Sequence, residues 1–305
     1  MEREALKTYF LQVDDLHRLY IEEWGNPQGT PIVFLHGGPG GAISKKCLDF
    51  FDLDRQHVIL FDQRGCGKSE PFLELKNNTI QHAVQDMETI RRHIGLDRWA
   101  VFGGSYGSTL ALVYAIAHPQ RVTHLVLRGI FLGRKEDIDW LYQDGAGAFY
   151  PAEFAAYQSH ISAAKQSDLV GAYYELLRHR DAVVRNAASM AWANWESGIV
   201  NHIPKPPESQ LQPWHQSLAL LECHYFVNHM FWEKDSYILD NAHRLAEIPM
   251  DIVHGRYDVD CRPIGAYLLA KACPQARLHI VEAAGHSPYD PPMLQQLQEI
   301  IQKIV

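Results

Sequence analysis

The sequence predicts an α/β fold, in which a mostly parallel sheet is flanked by helices and a helical segment is inserted into the chain. Short apolar runs alternate with helix-compatible segments, which is typical of parallel strands covered on both faces. These runs stop after about Phe131 and resume at Met250. A chain of 305 residues is long enough for one large domain with an insertion. We therefore expect a core of residues 1–130 and 243–305 and a helical cap of residues 131–242.

The elements follow in order from hydrophobic periodicity and turn residues. Asn26–Gly29 marks a turn between the first two strands, and the segment 203–207 interrupts the helical part with prolines. Helices are expected over Thr79–Ile94, Ser108–Ala117 and, as an amphipathic tail, Pro292–Ile304. The expected strands are the apolar runs Leu19–Trp24, Pro31–Leu35, Val58–Phe61, Trp99–Phe102, Val122–Leu127, Met250–His254 and Leu278–Val281.

Composition excludes several classes of function. The net charge is −8 and no stretch is basic enough to neutralise a phosphate backbone, so we expect no nucleic-acid partner. No apolar run approaches the ~20 residues of a membrane span, and the N-terminus carries no apolar leader. The five cysteines are scattered without a C-x-x-C pair, which favours free thiols in a reducing cytoplasm over a zinc or disulfide framework.

The most informative motif is Gly103-Gly104-Ser105-Tyr106-Gly107, which fits the pattern G-x-S-x-G. An apolar run leads into it and a helix-compatible run leads out of it, as in the nucleophile elbow of α/β-hydrolases. Small residues must flank the serine because the turn holds it in strained backbone geometry. The alternative is a glycine-rich surface turn whose serine caps a helix. The flanking strand and helix favour Ser105 as a nucleophile.

A serine hydroxyl needs a base, and in this fold an acid and then a histidine follow the serine along the chain. His286 lies in a loop between the last expected strand and the final helix, which distinguishes it from the other members of a set of 17 histidines. Asp258 follows the strand Met250–His254 directly. Asp260 and Asp251 are rival acids, but Asp260 lies further from the strand end and Asp251 lies within the strand. We therefore predict a triad of Ser105, Asp258 and His286.

Acyl transfer also requires hydrogen-bond donors for the oxyanion. The backbone N–H of Tyr106, the residue after the nucleophile, is one candidate. The glycine-rich loop His36–Gly41, which follows an early strand, supplies the other, for which we favour Gly38. This loop lacks the G-x-G-x-x-G spacing of a dinucleotide site. No metal or organic cofactor is expected.

With these motifs in place, the chain resembles the prolyl aminopeptidase (proline iminopeptidase) family over nearly its whole length. Two motifs, HGGPGG from His36 and FDQRG from Phe61, are shared with a broader group of hydrolases. The more specific motifs are the elbow extended to Leu112, LRGIF from Leu127, WANWE from Trp192 and ECHYF from Glu222. Two departures stand out: Tyr106 replaces the usual Trp, and Arg262 is inserted into the GRYD-x-x-CP pattern. The first leaves the backbone N–H intact, although the shape of the proline pocket then differs from the family's.

The resemblance implies release of an N-terminal proline from peptides that carry a free imino terminus. It assigns amine binding to Glu196 and Glu222, because carboxylates in a partly desolvated cap form charge-assisted hydrogen bonds with a cation. It also makes Phe131 and Phe226 candidates for the proline pocket, although core packing explains such residues equally well. The alternatives are an esterase or amidase of the same fold, and a non-catalytic binding protein. Peptide-length preference and oligomeric state remain open at this stage.

Overall fold

The computed structural model describes residues 4–203 and 206–304. Within these ranges eight strands form one sheet in the order β1-β2-β4-β3-β5-β6-β7-β8. β1 pairs with β2, and β2 with β4, in antiparallel orientation. The strands β4, β3, β5, β6, β7 and β8 run parallel to one another. The strands are β1 Lys7–Gln12, β2 Arg18–Gly25, β3 Thr30–Leu35, β4 Gln56–Phe61, β5 Trp99–Ser105, β6 Val122–Ile130, β7 Met250–Gly255 and β8 Arg277–Val281.

Each strand expected from the sequence is present, with ends that differ by at most a few residues. The sequence analysis missed β1, an edge strand whose residues are exposed or only half buried and which therefore lacks an apolar run. The α-helices are α1 Ile80–Ile94, α2 Tyr106–Ala117, α3 Lys135–Tyr142, α4 Pro151–Ser159, α5 Leu169–Leu177, α6 Ala182–Val200, α7 Pro213–Val227, α8 Tyr237–Asp240, α9 Pro263–Ala272 and α10 Pro291–Ile301.

Local chemistry explains the bounds of α1. Thr79 caps its N-terminus by accepting a hydrogen bond from the backbone N–H of His82, and Gly95 ends it in the left-handed conformation at φ 82°. The final helix is shorter than expected: it begins at Pro291 and ends at Ile301. Both helices bury one side, which is what their amphipathic spacing predicts.

Helices cover both faces of the sheet. Alternate strand residues point to opposite sides, so Val33 and Ile59 belong to one buried cluster and Ile32 and Val58 to another. The first cluster includes α1, α2 and α9, and the second includes α10. Because both faces are covered, the central parts of the parallel strands are mostly apolar, and polar side chains such as Gln56, Asp251 and Arg128 lie towards their ends.

Between β6 and β7 the described residues form helices joined by turns and loops, with no strand among them, and the strands resume at Met250. The prolines of 203–207 follow the end of α6, although Pro204 and Lys205 lie outside the described residues. α6 and α7 pack against each other and bring two parts of this segment over the carboxyl ends of the strands. No helix in the described ranges is long and apolar enough to cross a membrane.

Candidate active site

Ser105 lies at the turn between β5 and α2 with φ 57° and ψ −130°, a strained backbone conformation for a residue with a side chain. The flanking glycines are required by close backbone contacts. A Cβ on Gly103 would lie 2.1 Å from the carbonyl oxygen of Gly107, and one on Gly107 would lie 2.2 Å from that of Leu35. The strand–turn–helix geometry predicted from the spacing is therefore the one that the chain adopts.

His286 and Asp258 come together at the carboxyl ends of β7 and β8. His286 Nδ1 and Asp258 Oδ2 are 2.8 Å apart, and both side chains are buried. Asp258 Oδ1 accepts a hydrogen bond of 2.8 Å from the backbone N–H of Cys261, which fixes the carboxylate. Because Nδ1–H donates to the carboxylate, Nε2 of the neutral ring is left as an acceptor. This is the tautomer that a general base for Ser105 requires.

Arg128 approaches the nitrogen that would accept the proton of Ser105. Its Nη1 lies 3.0 Å from His286 Nε2 and donates a hydrogen bond of 2.8 Å to the backbone carbonyl of His286. In the described part of the chain no hydrogen bond joins Ser105 and His286, so the guanidinium takes that place. The sequence assigns no role to Arg128 beyond its place in the motif LRGIF. Its position as a charged residue within the otherwise apolar end of β6 is the feature of the sequence that could have indicated a functional role.

The rival acids lie in different surroundings. Asp260 is buried, and one of its oxygens lies within 4.8 Å of a ring nitrogen of His286. Its Oδ1 accepts a weak hydrogen bond from Cys261 Sγ at 3.4 Å, while Oδ2 has no partner. Burial raises the pKa of Asp260 to about 7. Asp260 is thus near His286 but, unlike Asp258, is not bonded to it.

Asp251 lies near the amino end of β7, whereas Asp258 follows the carboxyl end of the same strand. Its carboxylate binds His124 at 2.9 Å, His279 at 2.7 Å and Arg277 at 2.6 Å. These hydrogen bonds hold the pKa of Asp251 well below its usual value against the opposing effect of burial. The residue belongs to a separate polar cluster and does not approach Ser105.

Burial also sets the protonation of the base. Desolvation lowers the pKa of His286 to about 4, and the guanidinium of Arg128 acts in the same direction while Asp260 opposes it. Burial raises the pKa of Asp258, and neighbouring His254 and the N–H of Cys261 oppose that rise. His286 is therefore neutral at neutral pH.

Asp260, Cys261 and His286 form the one group of potential metal ligands found among the described residues. Both ring nitrogens of His286 already have partners, Asp258 and Arg128. The adjacent guanidinium would repel a cation, and burial raises the pKa of the Cys261 thiol well above its usual value. This donor set is a poor fit for a metal ion, and we assign none to it.

A cavity of about 290 Å³ opens above Ser105. It is lined by Ser105, His286, Arg128 and Glu196, and by the glycine loop that includes Gly38. A Cβ on the neighbouring Gly37 would lie 3.2 Å from Ser105 Cβ, so the loop passes directly beside the nucleophile. Tyr106 is the first residue of α2, and its N–H belongs to the unsatisfied donors of that helix end. The assignment of Gly38 and Tyr106 to an oxyanion hole stays a prediction.

The two glutamates, one on α6 and one on α7, meet next to this cavity. Tyr142 Oη lies 2.9 Å from Oε2 of Glu196 and 2.9 Å from Oε2 of Glu222. Trp192 Nε1 donates to Glu222 Oε2 at 2.6 Å. Burial first, and Glu196 second, raise the pKa of Glu222 well above its usual value, and burial also raises that of Glu196. A cationic ligand beside this pair would favour the ionised forms of both carboxyl groups.

Aromatic rings surround the glutamate pair. Phe131 and Phe226 are buried, with ring centres 5.9 Å apart in an edge-to-face arrangement. Phe226 also lies 5.5 Å from Tyr142, which stacks on Trp192 at 4.1 Å. Neither phenylalanine lines the cavity above Ser105, so their contact with a proline ring stays a prediction. The Tyr106 ring is fully buried against Tyr225, 5.4 Å between centres, and does not line the cavity either.

Arg262, the residue inserted relative to the family pattern, points away from the triad. It precedes α9, and its Nη2 lies 3.3 Å from Asp137 Oδ1 on α3. Its guanidinium also lies 5.0 Å from the centre of the Trp140 ring. The insertion therefore ties the loop after Asp258 to α3 while Asp258 keeps its contact with His286.

Comparison with known proteins identifies the family and the fold. A family model described as alpha/beta hydrolase fold matches residues 30–291. The chain is 44% identical over 299 residues to a probable proline iminopeptidase of Leptolyngbya boryana, covering 97% of this chain and 93% of the relative. It is 42% identical over 307 residues to the proline iminopeptidase of Neisseria meningitidis serogroup A, covering 99% and 97%.

Among solved structures, the proline iminopeptidase of Mycobacterium smegmatis aligns with a TM-score of 0.59 at 19% identity, covering 97% of this chain and 96% of that one. That similarity shows the fold alone. The nearly full-length sequence matches show more, because they span the core and the helical segment alike. The chain therefore belongs to the proline iminopeptidase family of α/β-hydrolases.

Proposed function

We propose that the protein is a serine exopeptidase that releases an N-terminal proline from peptides. The observation that carries the proposal is the single cavity that brings Ser105, His286 and Glu196 together. A nucleophile with its base defines the reaction class, acyl transfer. The buried glutamates define the substrate, because they favour a cation beside the scissile bond.

In the proposed reaction His286 removes the proton of Ser105, whose oxygen attacks the carbonyl carbon of the N-terminal proline. The Asp258 carboxylate orients the ring and stabilises its charged form. The N–H groups of Tyr106 and Gly38 bind the oxyanion. His286 then protonates the departing peptide amine, and water, deprotonated by the same ring, releases proline from the acyl-enzyme. For the first step Arg128 Nη1 must leave its place at His286 Nε2.

Glu196 and Glu222 would bind the protonated imino group of proline and so restrict cleavage to the first residue. Bringing a cation next to two buried carboxyl groups favours their ionised forms, which the empty site disfavours. An internal peptide bond has no charge at this position and would leave the pair unsatisfied. The same argument disfavours an esterase for neutral substrates, and the Asp258–His286 pair beside Ser105 disfavours a binding protein without catalysis.

Three further assignments belong to this proposal. Residues 131–242 form a cap over a core of residues 1–130 and 243–305, with Glu196 and Glu222 supplied by the cap. Phe131 and Phe226 border the proline ring, as part of the aromatic group around Tyr142. The protein works on peptides in the cytoplasm, and its five described cysteines are all free thiols.

The test is a small panel of arylamides that differ at the amino end. We expect proline arylamide to be cleaved well, alanine arylamide less well, and N-acetyl-proline arylamide hardly at all, because acetylation removes the charge. A fluorophosphonate should label wild-type protein and not Ser105→Ala. Equal cleavage of the free and acetylated substrates would favour the esterase or amidase instead. Absence of labelling would favour the non-catalytic protein.

A further inference from the structure

Arg128 is an unusual cation within the site. It is buried, its two side-chain hydrogen bonds both go to His286, and its Nε has no partner. In the described ranges no carboxylate forms an ion pair with it, and Asp258 and Asp260 act on it only through space. A buried guanidinium without a carboxylate partner is costly, and a ligand carboxylate would relieve that cost.

The guanidinium lies beside both reacting groups. A Cβ on Gly104, the residue before the nucleophile, would lie 2.4 Å from Arg128 Nη2. On its other side Nη1 lies 3.0 Å from His286 Nε2, the nitrogen that must hand a proton to the leaving amine. Arg128 lines the cavity together with Ser105. It therefore stands where the leaving group departs.

We propose that Arg128 binds the α-carboxylate of the leaving amino acid, so that free dipeptides with N-terminal proline are the preferred substrates. In such a dipeptide the carboxyl carbon is two bonds from the scissile nitrogen, which puts its oxygens within roughly 4 Å of that nitrogen. The scissile nitrogen itself must come within hydrogen-bond reach of His286 Nε2. A carboxylate at that distance meets the planar donors of the guanidinium.

Charge is arranged across the cavity to match a zwitterion. Glu196, with buried Glu222 behind it, supplies acceptors at the end that receives the imino group. Arg128 supplies donors on the side of His286. A dipeptide carries a cation and an anion on either side of its one peptide bond, in that order. A longer peptide carries its carboxylate further away, and a dipeptide amide carries none.

The same contact would activate the base. While Nη1 donates to Nε2, His286 has no free lone pair for the proton of Ser105. A carboxylate competes for the guanidinium more strongly than a neutral imidazole does, because its hydrogen bonds are charge-assisted. Binding of the leaving residue would therefore draw Arg128 away from Nε2 and free the base in the presence of the correct substrate.

This inference rests on the proposed function and is tested with substrates that separate the two. The probes are Pro-Ala, Pro-Ala-amide and proline arylamide, which share the same imino cation. For wild-type protein we expect kcat/KM for Pro-Ala to exceed that for Pro-Ala-amide by roughly tenfold to hundredfold, as for one charged hydrogen-bonded contact. Arg128→Gln should reduce this ratio to about one, and Arg128→Lys, which keeps the charge but loses the planar donor pair, should leave an intermediate ratio.

Because the ratio is taken within one variant, a general loss of activity cancels. If Arg128→Gln does not fold, wild-type protein still decides: free alanine should inhibit arylamide cleavage more strongly than alaninamide does. A wild-type ratio near one, or a ratio that Arg128→Gln leaves unchanged, would overturn the role of Arg128. In either case wild-type protein would still cleave proline arylamide. If wild-type protein does not cleave proline arylamide at all, the proposed function itself is wrong.

Discussion

Replacing Glu222 by Gln should abolish most of the preference for a free imino terminus. Glu222 is buried, and its Oε2 accepts from Trp192 Nε1 at 2.6 Å and lies 2.9 Å from Tyr142 Oη. Glutamine keeps the shape of the side chain but cannot become negative, so a bound cation loses a charged partner. A buried charged hydrogen bond that loses its partner costs about 2–4 kcal/mol.

This free energy corresponds to a drop of roughly 30- to 900-fold in kcat/KM, at 1.36 kcal/mol for each factor of ten. Steady-state kinetics with proline arylamide measure it directly. The rate of labelling of Ser105 by a neutral fluorophosphonate should hardly change, because that reagent has no amine. The matched control is Glu175→Gln, which removes an exposed glutamate of α5 that is paired with Lys165.

The free and N-acetylated arylamides give a second readout of the same change. Wild-type protein should discriminate strongly between them, and Glu222→Gln should not. If Glu222→Gln keeps kcat/KM for proline arylamide within about threefold of wild type, the glutamate pair does not bind the substrate cation. The substrate assignment would then be wrong, although the serine mechanism would stand.

Four further predictions test the triad and its surroundings. Ser105→Ala should lower kcat by about 10⁴-fold or more while the fold persists, as measured by turnover and circular dichroism; near wild-type turnover would refute the serine mechanism. Asp258→Asn should cost about 10⁴-fold in kcat through the wrong imidazole tautomer and Asp260→Asn far less, and the reverse order would make Asp260 the acid. Asp251→Asn should lower the free energy of unfolding in urea by about 2 kcal/mol with kcat/KM unchanged, because it neutralises a buried carboxylate whose partners are His124, His279 and the largely exposed Arg277; a stable but inactive variant would contradict this. The pKa of His286 is lowered to about 4 in the folded protein, so the unfolded chain takes up a proton first as pH falls, and folding stability decreases from about pH 6.5 towards about pH 4. Between about pH 7 and pH 5 wild type should lose about 2 kcal/mol more than His286→Gln does, and equal losses would show that the ring is not buried and neutral.

Much of the fold follows from the sequence because its signals are local. Parallel strands covered on both faces are apolar along most of their length, so β3 to β7 are visible as short apolar runs. The elbow is visible because a strained serine needs glycine on both sides, and that requirement involves only neighbouring backbone atoms and one adjacent strand. The order of nucleophile, acid and base follows from the topology of the sheet, so Asp258 and His286 could be chosen from many candidates.

The edge strand β1 could not be predicted because it lacks an apolar run of this kind. Its residues are exposed or half buried, and it joins the sheet through backbone hydrogen bonds with β2, which depend little on the type of side chain. Local sequence carries little information about such an edge.

Other side-chain partnerships between distant elements depend on tertiary packing and could not be read from the sequence. Tyr142 joins Glu222 across 80 residues, and Arg128 reaches His286 across 158. Neither contact is marked in the sequence by hydrophobic periodicity or by turn residues, because each depends on how helices and strands pack and not on the residues beside it. The reaction class, in contrast, follows from the residues around Ser105, whose spacing predicts the local geometry of the turn. Packing decided which charged side chains lie at and beside the cavity, because a buried carboxylate or guanidinium acquires its pKa and its partners only from the elements that enclose it.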